Sequence, residues 1–199
     1  MTETIDFTMM YVTHNAFRRD LDRLTAAATV PRAGWQNFKD QLHLHHSVED
    51  SHLWPRLQRA VTEPGDFALL EQMEAEHALI DPLLAAVDAA VADPSGSGLA
   101  EALRELSTAL GHHLAHEEED ALPLIQSVLT PADWKAFADE MRRRQGLKGA
   151  AVYVPWILDG APAAERRRFL GALPAPVTLL NRLLWQPRYV RLGFWSTGS

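Results

Sequence analysis

All nine histidines of this 199-residue chain fall between positions 14 and 116, and the last 83 residues hold none. Cysteine is absent. That removes disulfides, thiolate zinc sites and iron–sulfur clusters, and leaves imidazole and carboxylate as the strong metal ligands. Two stretches pair these groups at one spacing: His45–His46–Ser47–Val48–Glu49 followed by Pro55, and His113–Leu114–Ala115–His116–Glu117 followed by Pro123. Both read H-x-x-x-E-x-x-x-x-x-P. Residues four apart on a helix lie about 40° apart around the axis and one turn along it. The His and Glu of each pair can therefore reach one metal ion, or a bridged pair, from the same face. The spacing follows the His/carboxylate logic of helical-bundle di-iron sites, although His precedes Glu where ferritin-like proteins have Glu-x-x-His.

Single histidines, His14 and His77, precede the two pairs by 31 and 36 residues. Those separations suit two antiparallel helices and a loop. They complete an internal repeat of single His, loop, His-x-x-x-Glu, and imply a pseudo-twofold metal site of His14, His45, Glu49, His77, His113 and Glu117. Without a metal, two carboxylates and four imidazoles would be costly in a helical core. His43 and His52 are expected to face away or to stand behind the ligands. His112 and His116 lie off the ligand direction of His113, and His46 is ambiguous.

The elements that must position these residues are helices. Apolar residues recur at three- and four-residue spacing, as in Leu99, Leu103, Leu106, Leu110 and Leu114. Thr29–Val30–Pro31–Arg32, Glu63–Pro64–Gly65–Asp66 and Asp93–Pro94–Ser95–Gly96–Ser97–Gly98 interrupt the pattern. Four helices near 6–28, 33–62, 67–92 and 99–128 follow, each neighbour antiparallel because the loops are short. After Leu129, Thr130–Pro131–Ala132–Asp133 reads as an N-cap, a proline at the first helical position and an acid at the third, so a fifth helix should run to Gln145. Beyond Gly146 the prolines at 155, 162, 174, 176 and 187 predict only short helices, near 163–171 and 176–185. Trp134, Trp156, Trp185, Trp195 and Phe169 give this part enough apolar surface to pack. The expected fold is all-α: an antiparallel up-down-up-down four-helix bundle over 1–129, with a basic, tryptophan-containing helical extension over 130–199 packed on it.

Residues 1–129 carry 8 Lys+Arg against 21 Asp+Glu, and residues 130–199 carry 11 against 5, so the halves are −13 and +6 within a total of −7. The tail is read as neutralising the acidic bundle, not as a nucleic-acid surface. Charges interrupt every apolar stretch well before the ~20 residues a membrane span needs. Glu3 and Asp6 break any export leader, so neither a membrane nor secretion is expected and the cytoplasm is the default location.

Taken together, Thr13–His14, His45–His46–Ser47–Val48–Glu49–Asp50 with Leu53–Trp54–Pro55, Glu76–His77, and His113–Leu114–Ala115–His116–Glu117–Glu118 with Leu122–Pro123 resemble the hemerythrin-like, or HHE cation-binding, proteins over about residues 5–129. The resemblance implies a four-helix bundle holding two non-haem irons, bridged by oxygen and by the carboxylates of Glu49 and Glu117, with terminal imidazoles from His14, His45, His77 and His113. One departure matters. Oxygen-carrying members have a further histidine four residues before His77, where this chain has Met73. Fewer protein ligands leave positions open to water, peroxide or nitric oxide, and open positions favour reactivity over gas storage; His46, Glu74 or Tyr11 could instead close the site. The expected function is a redox-active di-iron protein turning over a small oxidant (peroxide, nitric oxide or dioxygen), as a peroxidase-type oxidoreductase. The alternative is an oxygen or iron carrier or sensor that signals through the C-terminal extension. Zinc or manganese would also fit nitrogen and oxygen ligands, and the sequence points to no particular electron donor.

Overall fold

Helices cover most of the computed structural model, which describes residues 4–27 and 29–196, and no strand occurs among them. In chain order they are α1 (Thr8–Ala26), α2 (Arg32–Val48), α3 (Trp54–Ala60), α4 (Pro64–Ala92), α5 (Leu99–His116), α6 (Leu122–Val128), α7 (Pro131–Leu158), α8 (Ala163–Ala172), α9 (Ala175–Leu180) and α10 (Gln186–Leu192). Short π-helical turns at Glu49–Leu53, Glu117–Ala121 and Asn181–Trp185 join α2 to α3, α5 to α6 and α9 to α10. Among the described residues no helix is long and apolar enough to cross a membrane.

Each π turn is followed by a proline that contributes to it. Pro55, Pro123 and Pro187 stand six residues after the first residue of their π turns. A proline inside a helix has no N–H to donate, and its ring crowds the carbonyl one turn back. The helix answers by widening. The N–H just ahead of each proline reaches back five residues instead of four, from Trp54 to the Glu49 carbonyl, from Leu122 to that of Glu117 and from Gln186 to that of Asn181. The second and fourth helices foreseen from the sequence thus persist through their prolines, each with one widened turn that begins at a glutamate of the repeated motif.

The helix ends follow the expected chemistry. The Asp133 N–H donates to Thr130 Oγ1 (3.2 Å) and the Thr130 N–H to Asp133 Oδ2 (3.1 Å), a reciprocal cap at the start of α7. Between α4 and α5, Asp93 accepts from the Ser95 N–H and from the Ser95 and Ser97 hydroxyls, and Gly98 supplies the left-handed conformation (φ 83°) that starts α5. The expectation for the segment after Gly146 needs one correction. Gly146 breaks α7 (φ 59°, ψ 178°), but helix resumes beyond it and runs through Pro155 to Leu158, ahead of the short helices expected from 163 on. The missing N–H of Pro155 costs the helix one bond and does not end it.

The chain divides into two compact units. The first runs over His43–Met141 and takes in the N-terminal stretch up to Ile5. In it α4 packs along α5, and α3 packs on α4 and α6. Its core includes Leu53, Trp54, Leu57, Leu70, Met73, Ile80, Leu106, Leu110 and Ile125, all buried. The Ile5 N–H donates to Gln126 (2.9 Å), tying the N-terminal stretch to α6.

The second unit joins Asp6–Leu42 to the chain from Arg142 on, so the first helix shares a core with the C-terminal segment. Phe17 of α1 meets Phe38 edge-on (5.8 Å) and packs on Trp156 (5.2 Å). Polar ties run alongside: Thr13 Oγ1 to the Tyr153 hydroxyl (2.6 Å), Trp156 Nε1 to Asp20 Oδ2 (2.7 Å), Arg19 to the Ile157 carbonyl and to Glu165, and Arg23 to Asp159. Most of these partners are at least partly buried, where such bonds contribute more than they would at the surface.

Candidate metal centre

The first unit gathers five of the six sequence-predicted ligands. His45, at the end of α2, and Glu49, the first residue of the π turn, are held one turn apart, with Nε2 and Oε1 at 3.2 Å. His113 and Glu117 repeat this at the end of α5, with Nε2 and Oε2 at 4.0 Å. His77 comes from the middle of α4, its Nε2 3.8 Å from Glu49 Oε2 and 3.1 Å from His113 Nε2. All five are buried, Glu49 and Glu117 completely. His14 lies in the second unit, on α1, and is also fully buried.

The two central imidazoles are held from behind. His77 Nδ1 lies 2.6 Å from Asp50 Oδ1, and His113 Nδ1 lies 3.0 Å from Glu76 Oε2. A carboxylate at Nδ1 fixes the proton there and leaves the Nε2 lone pair as the outward-facing group. The two Nε2 atoms stand 3.1 Å apart, close enough for one to donate to the other or for both to reach one cation. The electrostatics agree. Burial, then the neighbouring Glu117 and Asp50, pushes the Glu49 carboxyl well above the usual carboxylate range, and neither of its oxygens accepts a hydrogen bond among the described residues. Burial holds the His113 imidazole below its ordinary value against the pull of Glu76, which keeps it neutral as a ligand must be. For Glu76, burial alone would raise the carboxyl, but hydrogen bonds from His113 and His116 outweigh it and hold the group low, hence charged.

Three residues at this centre were not assigned from the sequence. His46 stacks on His77 (3.9 Å, 11° between planes) and meets His113 edge-on at 5.1 Å. His46, His77 and His113 offer nitrogens within 4.8 Å of one another. Asp50 and Glu76 are the carboxylates behind His77 and His113. Their signal was an acid next to a motif residue, but each serves a histidine on a different helix, which local spacing does not reveal. Of the other groups weighed, Glu74 is exposed and accepts from Gln58 (3.1 Å), Tyr11 is 42% exposed in the second unit, and Met73 is a fully buried thioether. His43 is exposed, and His52 lies 3.7 Å from Glu140.

A buried imidazole held neutral at His113, a buried carboxyl at Glu49 whose oxygens accept no hydrogen bond among the described residues, and the absence of thiols fit a cation that accepts nitrogen and oxygen. Helices carrying such a centre define a histidine–carboxylate metal-binding protein of the all-α class. The hemerythrin HHE cation-binding domain matches residues 6–125, and the chain belongs to that family. Comparison with curated proteins and with solved structures gives no match.

Proposed function

We propose that the protein holds a pair of non-haem irons through His14, His45, Glu49, His77, His113 and Glu117, and turns over a small oxidant there: peroxide, nitric oxide or dioxygen. The observation that carries the reading is the convergence of the His77 and His113 Nε2 atoms at 3.1 Å, each ring backed by a carboxylate, beside the hydrogen-bond-free oxygens of buried Glu49. His14 enters on the sequence repeat and the family resemblance. The four helices of an antiparallel bundle would supply one repeat each side of the site.

Bound iron would supply the electrons that reduce the oxidant. The chain's own residues do the rest. Asp50 and Glu76 keep the His77 and His113 rings oriented with Nε2 toward the site. Glu49 and Glu117, in π turns, present carboxylates from widened backbone, and the adjoining Leu53, Trp54, Leu114 and Leu122 exclude water. Met73 contributes no imidazole, so the proposed donor set would leave room for the oxidant at the bound iron.

A carrier or sensor is the second reading, and one observation favours it. Thr13, the neighbour of His14, is bonded to Tyr153, so a shift at His14 would be felt in the C-terminal segment.

Protein grown in iron-replete medium should contain about two irons per chain and absorb in the near ultraviolet, and Glu49→Ala should lose both. Full iron and an unchanged spectrum in Glu49→Ala would refute the ligand set. Peroxide consumption no faster than that of free iron would move the carrier or sensor to first place.

A further inference from the structure

A second cluster lies on the outer side of α4 and α5, apart from the buried ligands. His112 and His116 stand one turn apart on α5, with ring centroids 5.8 Å apart, and Glu76 of α4 reaches both. Glu76 Oε1 is 2.8 Å from His116 Nδ1 and 3.7 Å from His112 Nδ1, and all three residues offer a ligand atom within 4.8 Å of the others. Tetrahedral zinc, with bonds of about 2.0–2.2 Å, sets neighbouring ligand atoms roughly 3.3 Å apart. The two measured distances bracket that value.

The surroundings also suit a metal. His116 Nε2, the nitrogen not turned to Glu76, lies 3.6 Å from Asp120 Oδ2. That is ion-pair reach and longer than a hydrogen bond, so the exposed Asp120 carboxylate adds negative charge beside the ring. Glu76 divides its oxygens, Oε1 to this cluster and Oε2 to His113 Nδ1. His112 is the exposed member (72%), so water can fill a fourth position.

We infer that His112, His116 and Glu76 form a peripheral site for zinc or a similar first-row divalent cation, separate from the buried centre. Imidazole donors select zinc, copper, nickel or cobalt over magnesium and calcium. Because Glu76 also holds His113, occupancy weakens the carboxylate's grip on His113 Nδ1–H and is felt at the buried centre. This coupling rests on the proposed iron centre, whereas the peripheral site does not.

The test is zinc binding by equilibrium dialysis at micromolar free zinc on iron-loaded protein, with iron content and near-ultraviolet absorption followed in parallel. Wild type should bind one more zinc per chain than His112→Ala/His116→Ala. His112→Ala alone, at an exposed position that leaves the fold intact, should weaken that zinc at least tenfold, and Glu76→Gln should do the same. Equal zinc in wild type and the double variant would overturn the site, and unchanged affinity in Glu76→Gln would remove Glu76 from it. If the buried centre holds no iron, the parallel measurements show that directly, and the one-zinc difference still decides the peripheral site.

Discussion

Asp20 on α1 is 1% exposed, yet its carboxylate must accept from Trp156 Nε1 at 2.7 Å and from Arg23 at 3.1 Å. Burial dominates: against the lowering effect of Trp156 and Arg23, the carboxyl is pushed up from 3.8 to about 7. An acid with a raised folded pKa binds its proton more tightly when folded. Stability from this group is therefore full below about pH 4, falls as pH rises, and levels off above about pH 7. A shift of about three units at 1.36 kcal/mol each puts the whole loss at about 4 kcal/mol as an upper bound, with a slope approaching about 1.4 kcal/mol per pH unit near the middle. Asp20→Asn keeps an oxygen for Trp156 and cannot ionise, so its own cost is independent of pH. Urea unfolding of metal-loaded wild type and variant at pH 5, 6, 7 and 8 reads the difference. The gap should move by about 2–3 kcal/mol in the variant's favour from pH 5 to pH 8. Parallel stability curves, or a gap moving the other way, would refute the claim that burial outweighs Trp156 and Arg23 at this carboxylate.

Asp50→Asn removes the charge behind His77 at a half-exposed position, so the fold should stand while metal affinity, read by chelator competition, falls about 10–100-fold. Unchanged affinity would show that His77 needs no such support. Removing the metal should lower the melting temperature by several degrees, since a native-state ligand stabilises by mass action. The metal-free protein should then weaken as pH rises above about 4.5, because Glu49 binds its proton more tightly when folded; calorimetry across that range checks both points. Gly34→Ala would place a Cβ 2.6 Å from the Phe194 carbonyl and 3.0 Å from the Trp195 ring. It should cost about 1–3 kcal/mol by thermal or urea melting while leaving metal content unchanged.

Much of the helical layout could be read locally. Prolines and glycines at 31, 64 and 94–98 punctuate helices, and Thr130 and Asp133 cap one, because caps and breaks are decided by a few neighbouring residues. The same locality explains what was missed. Pro155 looked like a terminator, but buried Val154, Trp156 and Ile157 repay the lost bond. The paired His and Glu were legible because a helix turns a four-residue spacing into one face. His46, one residue from His45 and so about 100° away, could not be assigned until His77 was seen stacked on it. Asp50 and Glu76 were harder still, since each acts on a histidine of another helix. The sharing of a core between α1 and the chain from Arg142 on comes from contacts such as Phe17 with Trp156, separated by more than a hundred positions, and no periodicity records them.

The widened turn at each motif glutamate separates scaffold from chemistry. The segment from Asn181 to Pro187 repeats the backbone of Glu49 to Pro55 and Glu117 to Pro123, with the same five-residue reach of the N–H ahead of the proline. There Val177 stands where the motif has histidine and Asn181 where it has glutamate. Its buried Trp185 and Tyr189 serve packing. A turn that forms without a metal ligand is not made by a metal, so the distortion at Glu49 and Glu117 belongs to the chain itself. Proline is not enough alone, because Pro82 and Pro155 sit inside α4 and α7 without such a turn. Widened backbone ahead of proline is thus a structural device that this sequence uses three times among the described residues. Only where His and Glu occupy its upstream positions does it deliver a donor set, and the cation-binding function follows from those side chains, not from the helix that carries them.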